Sequence, residues 1–194
     1  MIARTPAQMT PAEIKRRIPH RHPILLIDRV LDLEPGRQLT ALKAVTCDEP
    51  WYEAVPDTAD DTAYDYPAAL VIESWCQAAS LLLTADEPTP GANDATGTHG
   101  TGGTGGALML FGGMSGVRLL RPVRPGDVMR HRVRLSRSFG DTVMYEGEST
   151  VDGETVLEVD QIIIALRKPA DVAPAPAPAP APGHTVPTSE GSHQ

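Results

Sequence analysis

Glu73 stands in the stretch LVIESWCQ, a carboxylate set among apolar neighbours. Burying such a group without a partner is costly, so its position calls for a functional or structural counterpart. A solvent-facing glutamate is the competing reading, but neighbours this apolar argue against a wet face. On a helix, Gln77 lies one turn further on and shares the face of Glu73. Asp57, Asp60, Asp61 and Asp65 crowd the segment just before. A desolvated aspartate can serve as a base, although ordinary acidic loop residues are the simpler reading. Tyr64 and Tyr66 could donate hydrogen bonds but are poor bases near neutral pH. Cys76 follows Glu73 by three residues and has no histidine beside it, so it reads as a buried helix cysteine rather than a nucleophile.

Histidine, the commonest proton carrier at neutral pH, is sparse where it would matter. None occurs between His22 and His99. His20 reads as structural or pocket-lining, His131 lies in a strand pattern, His99 in a Gly-rich run, and His184 and His193 near the end. None of them reads as a base for Glu73.

The elements that position these residues follow from periodicity. Residues 11–18, PAEIKRRI, read as a short helix stopped near Pro19. A strand is expected at 25–33, a turn at Pro35-Gly36, and a second strand at 39–45. Residues 48–67 are acidic, with prolines and small polar residues, and read as a partly exposed loop. Residues 68–85 contain no glycine or proline and are apolar on most faces, which predicts a long helix covered by other structure, with Pro67 near its first turn. Strands are then expected at 107–120, 128–139, 142–151 and 154–167, separated by 121–127, Gly140-Asp141 and Asp152-Gly153. Over 128–135, Val, Arg, Arg and Arg alternate with Met, His, Val and Leu, the pattern of a strand with one wet face.

This order predicts an α+β domain, an antiparallel sheet curled around a long central helix. Its boundaries are 11–168, after a leader at 1–10. Within it, 86–106 reads as a flexible Gly-rich insertion, and a Pro/Ala-rich tail at 169–194 favours extended, unpacked chain. The glycines of 86–106 have neither dinucleotide-binding nor P-loop spacing. A curled sheet has an edge to protect, so pairing with another subunit is expected.

The bulk properties agree with one domain plus extensions in 194 residues. A net charge of -8 argues against nonspecific nucleic-acid binding. Arginines gather at 118, 121, 124, 130, 132, 134 and 137; a solvated face is the plain reading, a docking face for an anionic partner the sharper one. Two cysteines, without zinc spacing, predict neither a disulfide framework nor a metal site. The start lacks an apolar signal core and no stretch is long and apolar enough to span a bilayer, so the expectation is a cytoplasmic protein.

Four segments in order carry a resemblance. IPHRHPILLIDRVLDLEPG (18–36), ALKAVTCDEPWY (41–52), PAALVIESWCQAAS (67–80) and RLLRPVRPGD (118–127) closely resemble the 3-hydroxyacyl-acyl carrier protein dehydratases, the FabZ/FabA-like members of the hotdog superfamily. The resemblance extends over about 14–168. It implies a hotdog fold and a homodimer or a trimer of dimers, with two active sites at each dimer interface. Each site would take a histidine from one subunit and a carboxylate from the other. The substrate would be a 3-hydroxyacyl thioester on the phosphopantetheine arm of acyl carrier protein, with no bound cofactor or metal. Removing the α proton needs a placed base, and losing the β-hydroxyl as water needs a proton donor. An apolar tunnel can raise a carboxyl pKa enough to make it that donor.

Carried over by position, Glu73 matches the family's catalytic carboxylate and Gln77 the residue that orients it. Ala68 stands where the family has glycine after its proline, where a backbone amide could meet the thioester oxygen. Gly112 and Gly113 match the glycine-bearing strand beside the thioester; close approach of backbone and a simple bulge are both open. Arg118, Arg121 and Arg124 are candidates for carrier-protein docking. The departure is the histidine. Counting forward from Trp51-Tyr52 places Val55 there, and counting back from Glu73 places Ala59. A loop aspartate could substitute.

Three functions follow as expectations. The first is a dehydratase of fatty-acid or polyketide-type biosynthesis. The second is an incomplete subunit that pairs with a histidine-bearing homologue. The third is a hotdog thioesterase or isomerase.

Overall fold

The computed structural model describes residues 8–85 and 108–167; the Gly-rich 86–106 segment and the Pro/Ala-rich tail lie outside them. The first helix, α1, spans Pro11–Arg17. Pro11 opens it, and the Thr10 amide donates to Glu13 Oε2 at 2.7 Å, so an orphan amide at the helix start is satisfied. Ile14 and Ile18 bury the inner face. The domain already holds the chain at Met9, within the stretch expected as a leader: Met9 is buried and pairs with Val30.

Strands β1 (Arg29–Glu34) and β2 (Gln38–Ala44) follow, then α2 (Ala68–Leu83), then β3 (Leu108–Leu119), β4 (Val128–Phe139), β5 (Thr142–Val151) and β6 (Glu154–Arg167). All pairings are antiparallel, in the order β1-β2-β4-β5-β6-β3. The sheet wraps α2, which makes this a hotdog fold.

Helix α2 uses two faces. Val71, Ser74, Trp75, Ala78 and Leu82 are buried at helical spacing, and α2 packs against β2, β4 and β5. Trp75 is fully buried, and its indole N–H donates to the carbonyl of Arg132 at 3.2 Å. Gly147 makes this approach possible, since a Cβ there would sit 2.0 Å from the same carbonyl oxygen. On β4, Met129, His131 and Val133 are buried while the intervening arginines are exposed, as the alternation predicts.

The first strand is shorter than the expected 25–33. Leu26 is buried, Leu25 is partly buried and Ile24 is exposed; these residues do not join the sheet, because backbone groups of Ile24 and Leu26 are taken by a side chain of α2. Gln77 Nε2 donates to the carbonyl of Ile24 at 2.7 Å, and the Leu26 amide donates to Gln77 Oε1 at 2.9 Å. Sheet pairing resumes where the Asp28 amide meets the Leu42 carbonyl.

The 48–67 segment contains two short 3-10 turns, Pro50–Tyr52 and Asp61–Tyr64. Its aromatics anchor it. Tyr52 and Tyr66 are buried, the Tyr52 hydroxyl donates to the Tyr64 carbonyl, and the Tyr66 amide donates to that of Val123. Beneath them Lys43 and Glu49 form a buried ion pair. No helix among the described residues is long and apolar enough to cross a membrane.

Candidate active site

The second face of α2 borders a cavity of about 470 Å³. Ala69, Ile72, Glu73, Cys76, Gln77 and Ser80 line it from the helix. Pro19 and His20 close one side, and Met109, Phe111, Met114, Ile162 and Ile164 supply an apolar wall from β3 and β6. The near-continuous apolarity of α2 thus has two causes: one face meets the sheet, the other a mostly apolar cavity.

Glu73 is held from two sides. Gln77, itself buried, donates from Nε2 to Glu73 Oε1 at 2.9 Å. His20 Nε2 lies 3.3 Å from the same oxygen. The nearby imidazole lowers the Glu73 pKa most; desolvation opposes it, and the Gln77 amide adds to the lowering. The carboxyl is therefore held below its ordinary range, and Glu73 is a carboxylate at neutral pH. This corrects the expectation of a carboxyl kept protonated by an apolar tunnel, because polar partners outweigh burial here.

His20 lines the cavity as expected, but its contact with Glu73 is not legible in the sequence. It arises because the buried Gln77 pins residues 24–26 against α2 and Arg17 donates to the carbonyl of Thr84 at the other end of that helix. The intervening segment is thereby drawn along the Glu73 face. The Nδ1 of His20 is buried and meets no hydrogen-bond partner among the described residues.

Cys76 also lines the cavity. Burial, then the charge of Glu73, pushes its thiol up to about 12, so it remains protonated and is no nucleophile near neutral pH. Val55 is partly buried against the core, closed into a turn by the hydrogen bond its N–H donates to the Tyr52 carbonyl. The four loop aspartates do not supply a desolvated base within the subunit. Asp57 and Asp61 are exposed; Asp60 accepts from the Thr62 amide and hydroxyl; Asp65 pairs with Arg124 at 2.6 Å. None of them lines the cavity beside Glu73.

Pro67 caps α2, and its carbonyl accepts from Leu70 and Val71, so the amides of Ala68 and Ala69 stand at the open helix start. Ala69, one residue beyond the expected Ala68, borders the cavity. At Gly112 and Gly113 the register slips between Phe111 and Gly113, a Cβ at Gly112 would lie 3.1 Å from the Ile163 side chain, and neither glycine is among the residues lining the cavity.

The three arginines offered for docking are engaged with carboxylates. Arg118 bonds Glu158 and Asp160, each at 2.8 Å; Arg121 lies 3.8 Å from Asp127 and 3.6 Å from Glu154; Arg124 holds Asp65. By contrast, Lys15 and Arg16 on α1 and Arg21 just after His20 are exposed with no ion-pair partner among the described residues, although Arg21 donates to the carbonyls of Ile18 and His20. The described residues contain no cluster of three or more His, Cys, Asp or Glu side chains suited to a metal ion.

A six-stranded antiparallel sheet around one long helix, with a carboxylate facing an apolar cavity, defines a hotdog protein. Comparison with known proteins places it more closely: the FabA-like domain matches residues 18–160. The 3-hydroxyacyl-acyl carrier protein dehydratase FabZ of Shewanella loihica is 36% identical over 151 residues, covering 76% of this chain and 86% of that protein. The enzyme of the same name from Janthinobacterium sp. is 32% identical over 164 residues, covering 84% and 94%. The chain belongs to the FabZ/FabA-like hotdog dehydratase family. Among solved structures, the dehydratase heterocomplex ApeI:P from Xenorhabdus doucetiae shares the fold, with a TM-score of 0.58, 16% identity, and coverage of 81% of this chain and 92% of that one.

Proposed function

We propose that this protein is a dehydratase that removes water from 3-hydroxyacyl thioesters carried on acyl carrier protein, in fatty-acid or polyketide-type biosynthesis. The observation that carries this reading is the Glu73 carboxylate, oriented by Gln77 and facing an apolar cavity of about 470 Å³. Such a cavity suits an acyl chain, and Glu73 sits where a proton must move. In this reading the amides of Ala68 and Ala69, in the first turn of α2, meet the thioester oxygen. The relatives' names supply the carrier-bound substrate. Phosphopantetheine belongs to that substrate, and the chemistry asks for no bound cofactor.

An acidic carrier protein fits the exposed basic run of Lys15, Arg16 and Arg21 better than Arg118, Arg121 and Arg124, whose charges are already met. The working unit in this reading is a dimer. Strand β3 ends the sheet, and its Leu110, Phe111 and Leu119 are exposed. Met109, Phe111 and Met114 of the same strand line the cavity, so a second subunit paired along β3 would complete its wall.

A second reading is favoured by the lack of a histidine at Val55 or Ala59, the two loop positions where one is expected: the chain would pair with a histidine-bearing homologue, as the named heterocomplex offers by analogy. A thioesterase or isomerase role has no observation of its own in its favour.

The test is water loss from a 3-hydroxyacyl carrier protein, with the purified chain alone and with a histidine-bearing dehydratase added. Turnover that falls by about 100-fold or more in Glu73→Gln, with unfolding unchanged, supports the reading. Equal turnover by wild type and Glu73→Gln, or none under either condition, overturns it.

A further inference from the structure

We propose that His20 and Glu73 of one chain form the proton-transferring pair of this site, with Glu73 taking the α proton and His20 giving the proton with which the β-hydroxyl leaves. The inference rests on the dehydratase reading and names a second catalytic residue for it. It also reverses the role expected of Glu73.

Elimination carries much of the case. Within one subunit, the titratable side chains that line the cavity among the described residues are His20, Glu73 and Cys76. Cys76 stays a thiol near neutral pH, since its pKa is pushed up to about 12. The two loop positions where a histidine is expected hold Val55 and Ala59, and no loop aspartate of the same subunit lines this cavity. His20 and Glu73 are the pair left, and they are already 3.3 Å apart.

Their surroundings divide the two roles. Glu73 is ionised, so it can accept a proton but has none to give. Gln77 fixes the carboxylate, being held in turn by the backbone of Ile24 and Leu26. His20 Nδ1 meets no hydrogen-bond partner among the described residues, so Nε2, facing Glu73, is the nitrogen in play. The His20 side chain is 28% exposed, so solvent reaches it.

The step balances without a co-reactant. The Cα–H bond breaks and its proton moves to Glu73. The electron pair becomes the Cα–Cβ π bond, the Cβ–O bond breaks, and the departing hydroxyl takes the Nε2 proton of an imidazolium His20, which becomes a neutral imidazole, to leave as water. Passing the proton from Glu73 Oε1 to His20 Nε2 restores both groups.

A merely structural histidine would hold Glu73 in place but would not be replaceable by a free imidazole. The experiment therefore uses the purified full-length chain, a 3-hydroxybutyryl carrier protein, and the variants His20→Asn, His20→Ala and Glu73→Gln. Both His20 variants are expected to lose about 100-fold or more in kcat, with KM changed little. Added imidazole should recover about ten-fold or more of that loss in His20→Ala, while leaving Glu73→Gln inactive. His20→Asn, which keeps a polar side chain in place, guards against a folding defect in the alanine variant. Wild-type rates in His20→Asn, or no rescue of a folded His20→Ala, overturn the pair while leaving the dehydratase reading intact. Turnover that appears only when a histidine-bearing homologue is added overturns the in-chain pair in favour of a composite site. No turnover in either condition removes the dehydratase reading and this inference with it.

Discussion

Gln77 and Leu26, 51 positions apart, are joined by a 2.9 Å hydrogen bond from the Leu26 amide to the Gln77 side-chain carbonyl oxygen. The same amide side chain donates to the carbonyl of Ile24 and to Glu73. One buried side chain therefore ties the approach to β1, the central helix and the candidate catalytic carboxylate together. It also explains why residues 24–26 stay out of the sheet.

Gln77→Leu should cost both stability and activity. Leucine preserves much of the volume but leaves the buried Leu26 N–H and the part-buried Ile24 carbonyl without their partner. The expected loss is about 2–4 kcal/mol, measured by urea unfolding. Glu73 also loses one of the contacts that hold its pKa down, so turnover should fall and its acid limb should move to higher pH. An unchanged unfolding midpoint would remove Gln77 from this structural role.

Phe111 tests the subunit arrangement. It is 66% exposed on the edge strand β3 and also lines the cavity. In a dimer paired along β3, Phe111→Asp would place a charge in the interface, where an unpaired one is expensive. Sedimentation should then shift from dimer to monomer, with turnover lost together with the dimer. A variant that remains dimeric would place the interface elsewhere.

His131 predicts a pH dependence of stability. It is fully buried on β4 and lies 2.7 Å from Ser149 Oγ through Nδ1. Burial, then the charge of Lys43, lowers its pKa to about 3. In the unfolded chain the value is about 6.5, so between the two the unfolded state binds the extra proton. This contribution to stability is complete above the unfolded value and is lost as pH falls toward 3, at about 1 kcal/mol per pH unit. His131→Gln lacks that titration. Its unfolding midpoint in urea should fall less steeply between pH 6.5 and 4 than that of the wild type, and parallel slopes would contradict the assignment.

The sequence by itself determined the architecture. Alternation along β4, β5 and β6 and the unbroken apolar run of α2 are local periodicities that already say which faces are buried, and the order of elements left a sheet wrapped on a helix as the arrangement. It also marked Glu73 and Gln77 as one face, since four residues is one helical turn. Tertiary structure decided what surrounds that face. The 3.3 Å approach of His20 to Glu73 depends on backbone groups of residues 24–26 bonding a side chain across the fold, which has no periodic signature. The protonation of Glu73 was decided there too. An apolar neighbourhood in sequence predicts a raised pKa, but a lowered one results when an imidazole and an amide converge on the carboxylate, and only the packing of distant segments brings them together.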